Sequence, residues 1–314
     1  MTRRSTTLSA LGAAAALLLA GCGDDPATPS GGGGGSSDEL SGATFTVGSK
    51  EFTESNVFAW ITIIALENAG ADAGDDVASL SGSATVREAL ESSEVDMYWD
   101  YTGTGWINIL GNTTTDLPED LYAAVVEADA ANGIAWLEPA PLDNTYRIAV
   151  TGDFASENDL ATMSDAAAYI QDNPDDSAVC AASEFINRDD GLPGLQTAYG
   201  FEFSSVEELE LSLVFTQLGD TCQFGEVFAT DGRILANELT VLEDDEAFFP
   251  AYNAALTLRQ ETLDEFPAIA DIMAPISAAL TDEAITELNA AVDVDGETEE
   301  DAARTWMEDN GFVG

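Results

Sequence analysis

Short runs that favour β-strands alternate with longer helical patterns along this chain, and this alternation constrains the fold more than any other feature. It is clearest at residues 45–47, 57–68, 77–80, 86–91 and 95–98. Further strands are expected at 134–137, 146–150, 177–181 and 239–242, and helices at 118–132, 165–171 and 192–199. From 252 to 306 the pattern is mainly helical, with Pro267 and Pro275 as breaks. The sequence therefore predicts an α/β fold.

The length sets the number of domains. The chain has 314 residues, enough for two lobes of ordinary domain size, each with its own core. Hydrophobic residues make up 45% of the chain, so it has the apolar content to fold. The stretch 57–66 is apolar on nearly every face and ends at Gly70, which predicts a buried helix closed by a glycine.

The charge balance excludes nucleic acid as a partner. Lys and Arg together number 9 and Asp and Glu 59, which gives a formal net charge of -50. This charge is spread along the whole chain and would repel a phosphate backbone. A surface so acidic and so poor in lysine indicates adaptation to high salt, where cations screen the repulsion. The alternative is an ordinary acidic secreted protein.

Histidine is absent, which removes most familiar enzyme designs. Ser/His/Asp and Cys/His nucleophiles and His-ligated zinc are all excluded, and no metal or cofactor is predicted. A carboxylate-dependent glycosidase needs no histidine and stays open as an alternative. With 59 carboxylates, however, finding a suitable pair is uninformative.

The start of the chain has the order of a bacterial secretion signal. Residues 1–21 combine a basic start with a short apolar run, and the Leu-Ala-Gly-Cys sequence that ends at Cys22 resembles a lipobox. A buried N-terminal helix with an incidental cysteine is the alternative. Residues 22–43 are rich in Gly, Ser and Pro and predict a flexible tether with a reach of about 25 Å. We expect a lipid-anchored protein on the extracytoplasmic face of the cell membrane.

Two further cysteines, Cys180 and Cys222, lie in the body of the chain. An oxidising compartment favours a disulfide between them, which would stabilise the fold by about 4 kcal/mol in the chain-entropy model. A pair of buried free thiols is the alternative.

Candidate binding residues cluster near turns. Lys50, the single lysine, lies in GSKEFTES (48–55) where a strand gives way to a helix, which suggests an anion contact in a cleft, although a solvated surface lysine is the alternative. The run YWDYTGTG (98–105) brings aromatic rings next to glycines after a predicted strand. Its rings can face a ligand or pack in a core.

The order of motifs carries a family resemblance. GSKEFTES, YWDYTGTG, DNTYRIAV (143–150), NRDDGLPGL (187–195), FATDGRI (228–234) and FFPAY (248–252) together resemble the glycine betaine/carnitine/choline substrate-binding proteins of bacterial ABC importers. The resemblance covers nearly the whole body. It implies a two-lobed, periplasmic-binding-protein-like (type II) fold with a ligand cleft between the lobes, working with an ABC permease and its ATPase subunits.

The resemblance also implies a site for a quaternary ammonium ligand. Aromatic rings would surround the trimethylammonium group: Tyr101, Tyr146, Phe228 and Tyr252. Lys50, Arg188 and Thr104 would hold a carboxylate, and the main chain near Asn144 would face the methyl groups. The family pattern has tyrosine where this chain has Phe228. Because choline lacks a carboxylate and would leave Lys50 and Arg188 unpaired, glycine betaine is favoured over choline.

The resemblance places the first lobe at 44–150 plus 249–314 and the second at 151–248, with two crossings between them. A tethered sensor or a binding lipoprotein for another small solute remains an alternative to a transport receptor. Genes for a permease and an ATPase next to this one would favour transport.

Overall fold

The computed structural model describes residues 38–74 and 76–314. The predicted signal peptide (1–21), lipidated Cys22 and most of the predicted tether (22–43) lie outside the described residues. The last residues of that tether are an exception, because Leu40 is buried and its N–H donates to the carbonyl of Ala69. The packed body therefore begins a few residues earlier than predicted.

Strands and helices alternate through the described residues. The strands are β1 (Gly48–Lys50), β2 (Ala78–Leu80), β3 (Met97–Tyr101), β4 (Ile134–Trp136), β5 (Tyr146–Thr151), β6 (Ala178–Ala181), β7 (Ser205–Glu208), β8 (Phe224–Phe228), β9 (Leu239–Val241) and β10 (Ala254–Arg259). The helices of the first 160 residues are α1 (Thr53–Asn68), α2 (Ser83–Glu91), α3 (Thr102–Thr104), α4 (Leu121–Asp129) and α5 (Gly152–Glu157). The later helices are α6 (Met163–Asp172), α7 (Ser183–Asn187), α8 (Leu192–Tyr199), α9 (Leu211–Gln217), α10 (Arg233–Ala236), α11 (Gln260–Glu265), α12 (Ala268–Ala279), α13 (Asp282–Asp293) and α14 (Glu299–Asp309).

The first lobe is built on strands from both ends of the chain. Its sheet has the order β3-β10-β4, and the parallel pair β1-β2 joins it through a bridge between Val47 and Met97. Helix α1 packs on this sheet and against α12, α13 and α14. Its residues are buried on several faces, as the apolar pattern predicts. It ends at Asn68 with Ala69 as the C-cap, and the chain then turns at Gly70, whose φ of 90° favours glycine.

The second lobe has a five-stranded sheet of order β7-β6-β8-β5-β9. Strand β5 pairs with β8 and β9, so it belongs here and not at the end of the first lobe. The first crossing therefore precedes Tyr146 rather than following residue 150. Asn144 donates its N–H to the carbonyl of Tyr252 where the two crossing segments run side by side.

Strand β10 and helix α12 differ from the sequence prediction. Strand β10 lies in a region where we expected helices, and it is central in its sheet and buried on both faces. A short apolar run without alternation fits a buried strand or a buried helix equally well. Pro275 lies inside α12 and does not break it.

Cys180 and Cys222 form a disulfide, with their Cα atoms 5.7 Å apart. The bond ties β6 to the turn that precedes β8. It thereby holds together two neighbouring strands of the second sheet.

Candidate functional site

A cavity of about 260 Å³ lies between the two sheets. Seven of the eight predicted ligand-binding residues line it: Lys50, Tyr101, Thr104, Asn144, Tyr146, Phe228 and Tyr252. The eighth, Arg188, lies behind the wall, with its guanidinium nitrogens 3.3 Å from the hydroxyl oxygen of Thr104. The volume suits a small solute.

The backbone places the rings from three directions. Tyr101 ends β3, and Tyr146 and Phe228 are directly paired across β5 and β8. Tyr252 lies in the second crossing segment, against Gly103. A Cβ at Gly103 would lie 2.7 Å from the Tyr252 ring, so only glycine allows this approach. This explains the glycine between the two threonines of the 101–105 segment.

The rings form a continuous wall. The ring centroids of Tyr146 and Phe228 are 5.0 Å apart, and those of Tyr146 and Tyr252 are 5.4 Å apart and perpendicular. Phe52, which sequence reasoning did not select although it lies in the 48–55 motif, also lines the cavity. Its centroid is 5.3 Å from that of Phe228 and 6.3 Å from that of Tyr101. Phe52 thus closes the wall between the lobes.

Two of the tyrosine hydroxyls bond to carboxylates behind the wall. Tyr101 donates to Glu54 at 2.7 Å, and Tyr252 donates to Asp190 at 2.6 Å. Burial, together with the neighbouring carboxylates, raises the pKa of both hydroxyls well above 10. They remain neutral, and their bonds hold the rings in position.

Lys50 is buried at the cavity wall and already has a carboxylate partner. Its Nζ lies 2.7 Å from Asp100 and 4.9 Å from the centre of the Tyr101 ring. A lysine ammonium has three N–H donors, so the bond to Asp100 leaves others for a ligand.

Arg188 is fully engaged with protein groups. Its Nε and Nη2 donate to the two oxygens of Asp190 at 2.8 and 2.6 Å, and its Nη1 donates to Glu184 at 2.7 Å. If choline were bound, Lys50 and Arg188 would each still have a carboxylate partner in the protein. The expectation that choline would leave both cations unpaired is therefore wrong. Thr104 accepts from Arg188, so its own hydroxyl hydrogen is free to be donated to a ligand.

None of the carboxyl residues that line the cavity was predicted: Glu51, Glu184, Glu210, Glu226, Asp293 and Glu299. Glu184 accepts from the backbone N–H and the hydroxyl of Ser83, at the start of α2, and so joins the second lobe to the first. Burial acts to raise its pKa, but the charges of Lys50 and Arg188 and the bonds from Ser83 outweigh this and lower the pKa to about 2. Glu184 is therefore ionised.

Glu226 is another of these carboxyl residues. It lies on β8, is buried and accepts a hydrogen bond from the N–H of Ala182 at 2.7 Å. Burial raises its pKa to about 8. Nothing in the sequence separates Glu226 from the other acidic residues except its place two positions before Phe228, which puts both side chains on one face of the strand.

A polar cluster behind the wall also joins the lobes. Glu54 accepts from Tyr101, from Asn144 at 2.8 Å and from Thr230 at 2.5 Å. Asn289 adds a fourth, longer bond of 3.2 Å. Burial raises the pKa of Glu54 despite these bonds. The side chain of Asn144 is thus held by Glu54, and its predicted role at the ligand is left to its main chain.

Across the described part of the chain, no helix combines the length and the apolar character that a membrane crossing needs. In the same residues no cluster of His, Cys, Asp and Glu side chains is arranged to hold a metal ion.

The family model for the substrate binding domain of ABC-type glycine betaine transport systems matches residues 43–309. A glycine-betaine-binding protein of Pseudomonas aeruginosa is 32% identical over 280 residues, which cover 85% of this chain and 88% of that protein. The glycine betaine-binding protein YehZ of Escherichia coli is 30% identical over 85% of this chain and 90% of its own length. A solved apo structure of YehZ superimposes with a TM-score of 0.64 at 29% identity, covering 86% of this chain and 99% of that one.

The fold is that of a two-lobed periplasmic substrate-binding protein. The chain belongs to the family of substrate-binding domains of ABC-type glycine betaine transport systems. It is a substrate-binding protein of an ABC importer and not an enzyme.

Proposed function

We propose that the cavity captures a quaternary ammonium osmoprotectant by surrounding its trimethylammonium group with Tyr101, Tyr146, Phe228 and Tyr252, with Phe52 as a fifth ring. The observation that supports this proposal most is the wall of ring faces whose tyrosine hydroxyls, at Tyr101 and Tyr252, bond away to Glu54 and Asp190. A quaternary ammonium has no N–H to donate, so ring faces and carboxylates recognise it, and each well-placed ring contributes about 0.5 to 2 kcal/mol.

We favour glycine betaine over choline on the basis of the remaining donors. The free N–H groups of Lys50 and the free hydroxyl hydrogen of Thr104 both face the cavity and suit a ligand carboxylate. Arg188 supports this pair from behind by polarising the hydroxyl of Thr104. Choline would leave these donors without an acceptor inside a closed cavity, which costs free energy.

Several contacts already bridge the lobes: Glu184 to Ser83, Thr230 to Glu54, and Arg233 to Asp293 at 3.5 Å. Closure of the lobes around the ligand would form these contacts and seal the cavity.

Lipidation at Cys22, anchoring at the extracytoplasmic face of the membrane and adaptation of the acidic surface to high salt complete the proposal. These three points rest on the sequence.

A pair of variants at Tyr101 tests the ring cage. Tyr101→Phe and Tyr101→Leu both lose the hydroxyl bond to Glu54, but only phenylalanine keeps a ring face. In calorimetric titrations with glycine betaine in molar salt, we expect Tyr101→Phe to bind within about threefold of the parent and Tyr101→Leu about 5- to 30-fold more weakly. Equal affinities of the two variants, both shown to be folded by circular dichroism, would contradict the cage.

A further inference from the structure

Glu226 lies in the cavity with most of its hydrogen-bonding capacity unused. Glu226 is 1% exposed, and one of its carboxyl oxygens accepts a hydrogen bond from the N–H of Ala182. Within residues 38–74 and 76–314 no other donor reaches this carboxyl group. A buried carboxylate can accept several hydrogen bonds, and one that lacks them is costly to ionise.

The charged and titratable groups around Glu226 do not supply the missing partner. Glu184 faces it from α7, and its negative charge adds to the cost of ionising Glu226. Arg188, which follows α7, favours ionisation but is already engaged by Asp190 and Glu184. Tyr146 faces it from β5 as a neutral, buried ring.

A ligand with a fixed positive charge would complete this arrangement. The Phe228 ring and the Glu226 carboxyl project from the same face of β8 into the same cavity. A trimethylammonium group held against that ring therefore lies beside the carboxyl. A cation next to a carboxyl group favours the ionised form of the acid.

We propose that Glu226 determines specificity for the cationic group and releases its proton to solvent when the ligand binds. The O–H bond of the carboxyl group breaks, its electron pair stays on the carboxylate, and water or a buffer base takes the proton; the ligand itself is unchanged. This inference rests on the proposed function, because it needs a permanently cationic ligand in the cavity.

The titration of Glu226 agrees with this geometry. Since burial raises its pKa to about 8, the carboxyl group is mostly protonated at pH 7 before the ligand arrives. Binding of a cation lowers that pKa, so binding releases a proton and affinity rises with pH. With a pKa of about 8, affinity at pH 9 should be about tenfold higher than at pH 7.

Calorimetry with glycine betaine tests the proton release. At pH 7.5 and constant molar salt, the apparent enthalpy for the parent protein should differ between phosphate and Tris buffers, because the two take up a proton with different heats. Glu226→Gln keeps an acceptor for the Ala182 N–H but has no proton to release. Its enthalpy should be the same in both buffers, and its affinity should be lower and unchanged between pH 7 and pH 9.

Glu207→Gln is the matched control, since it makes the same chemical change at an exposed position on β7 of the same sheet. It should release a proton as the parent does. Equal enthalpies in the two buffers for the parent protein, or proton release that survives in Glu226→Gln, would overturn this inference and leave the proposed function standing. No binding to the folded parent would instead overturn the proposed function. If Glu226→Gln does not fold, the parent's buffer and pH series decide alone.

Discussion

Two buried carboxyl groups of the site differ in the number of hydrogen bonds that they accept: Glu54, in the polar cluster behind the ring wall, and Glu226, in the cavity. Glu54, in the cluster, accepts from four side chains that come from both lobes. Glu226, in the cavity, accepts from one backbone N–H. Burial raises the pKa of both. The difference indicates that the Glu54 carboxyl group has its hydrogen-bond partners within the protein, whereas the Glu226 carboxyl group is left open to a ligand.

Removal of Glu54 should have the largest effect on stability. Glu54→Ala leaves the buried donors of Tyr101, Asn144 and Asn289 without their shared acceptor, and we expect the free energy of unfolding to fall by about 3 to 5 kcal/mol. Glu54→Gln, which keeps one acceptor oxygen and donates to Thr230, should lose about half as much or less. Urea denaturation in molar salt measures both. Equal stability of Glu54→Ala and the parent would show that the cluster is not a structural unit.

Glu226→Gln, in contrast to the Glu54 variants, should become more stable relative to the parent protein as the pH rises. The pKa of Glu226 is raised in the folded protein, from 4.5 to about 8, so its contribution to stability is present below pH 4.5 and is lost as the pH rises to about 8. Glutamine has no such loss. We expect the stability of the variant relative to the parent to rise by more than about 1.4 kcal/mol, the equivalent of one pKa unit, between pH 5 and pH 8.5.

Urea denaturation of both proteins at pH 5, 6.5 and 8.5 measures this difference in the free energy of unfolding. The other carboxylates contribute equally in the two proteins, so their contributions cancel in the difference. A difference that stays constant with pH would mean that Glu226 is not buried and neutral in the ligand-free protein. The contrast with Glu54 would then disappear.

The sequence predicted the family and seven of the residues that line the cavity, because the motifs at the turns carry both. The segment 98–105 is an example: Tyr101 and Thr104 line the cavity, and Gly103 allows the Tyr252 ring to approach. The α/β alternation also predicted the element types of the first half of the chain. These are local signals, readable without knowing which segments meet.

What the sequence could not predict depends on distant contacts. The lobe that holds β5 is decided by its pairing with β8 and β9, which lie far along the chain. The position of Arg188 behind Thr104 depends on a contact between residues that lie 84 positions apart in the sequence. Which of 59 carboxylates is buried in the cavity is likewise a property of the packed lobes, so Glu184 and Glu226 could not be singled out.

Recognition of a positive charge by the ring faces and by Glu226 is the central feature of the proposed binding site. Calorimetric titration of the parent protein in molar salt with glycine betaine and with 3,3-dimethylbutanoate tests it directly, because the second compound has the same shape and carboxylate but a neutral carbon in place of nitrogen. We predict that glycine betaine binds at least about tenfold more tightly. Equal affinity for the two compounds would contradict the account, since shape and carboxylate alone would then explain binding.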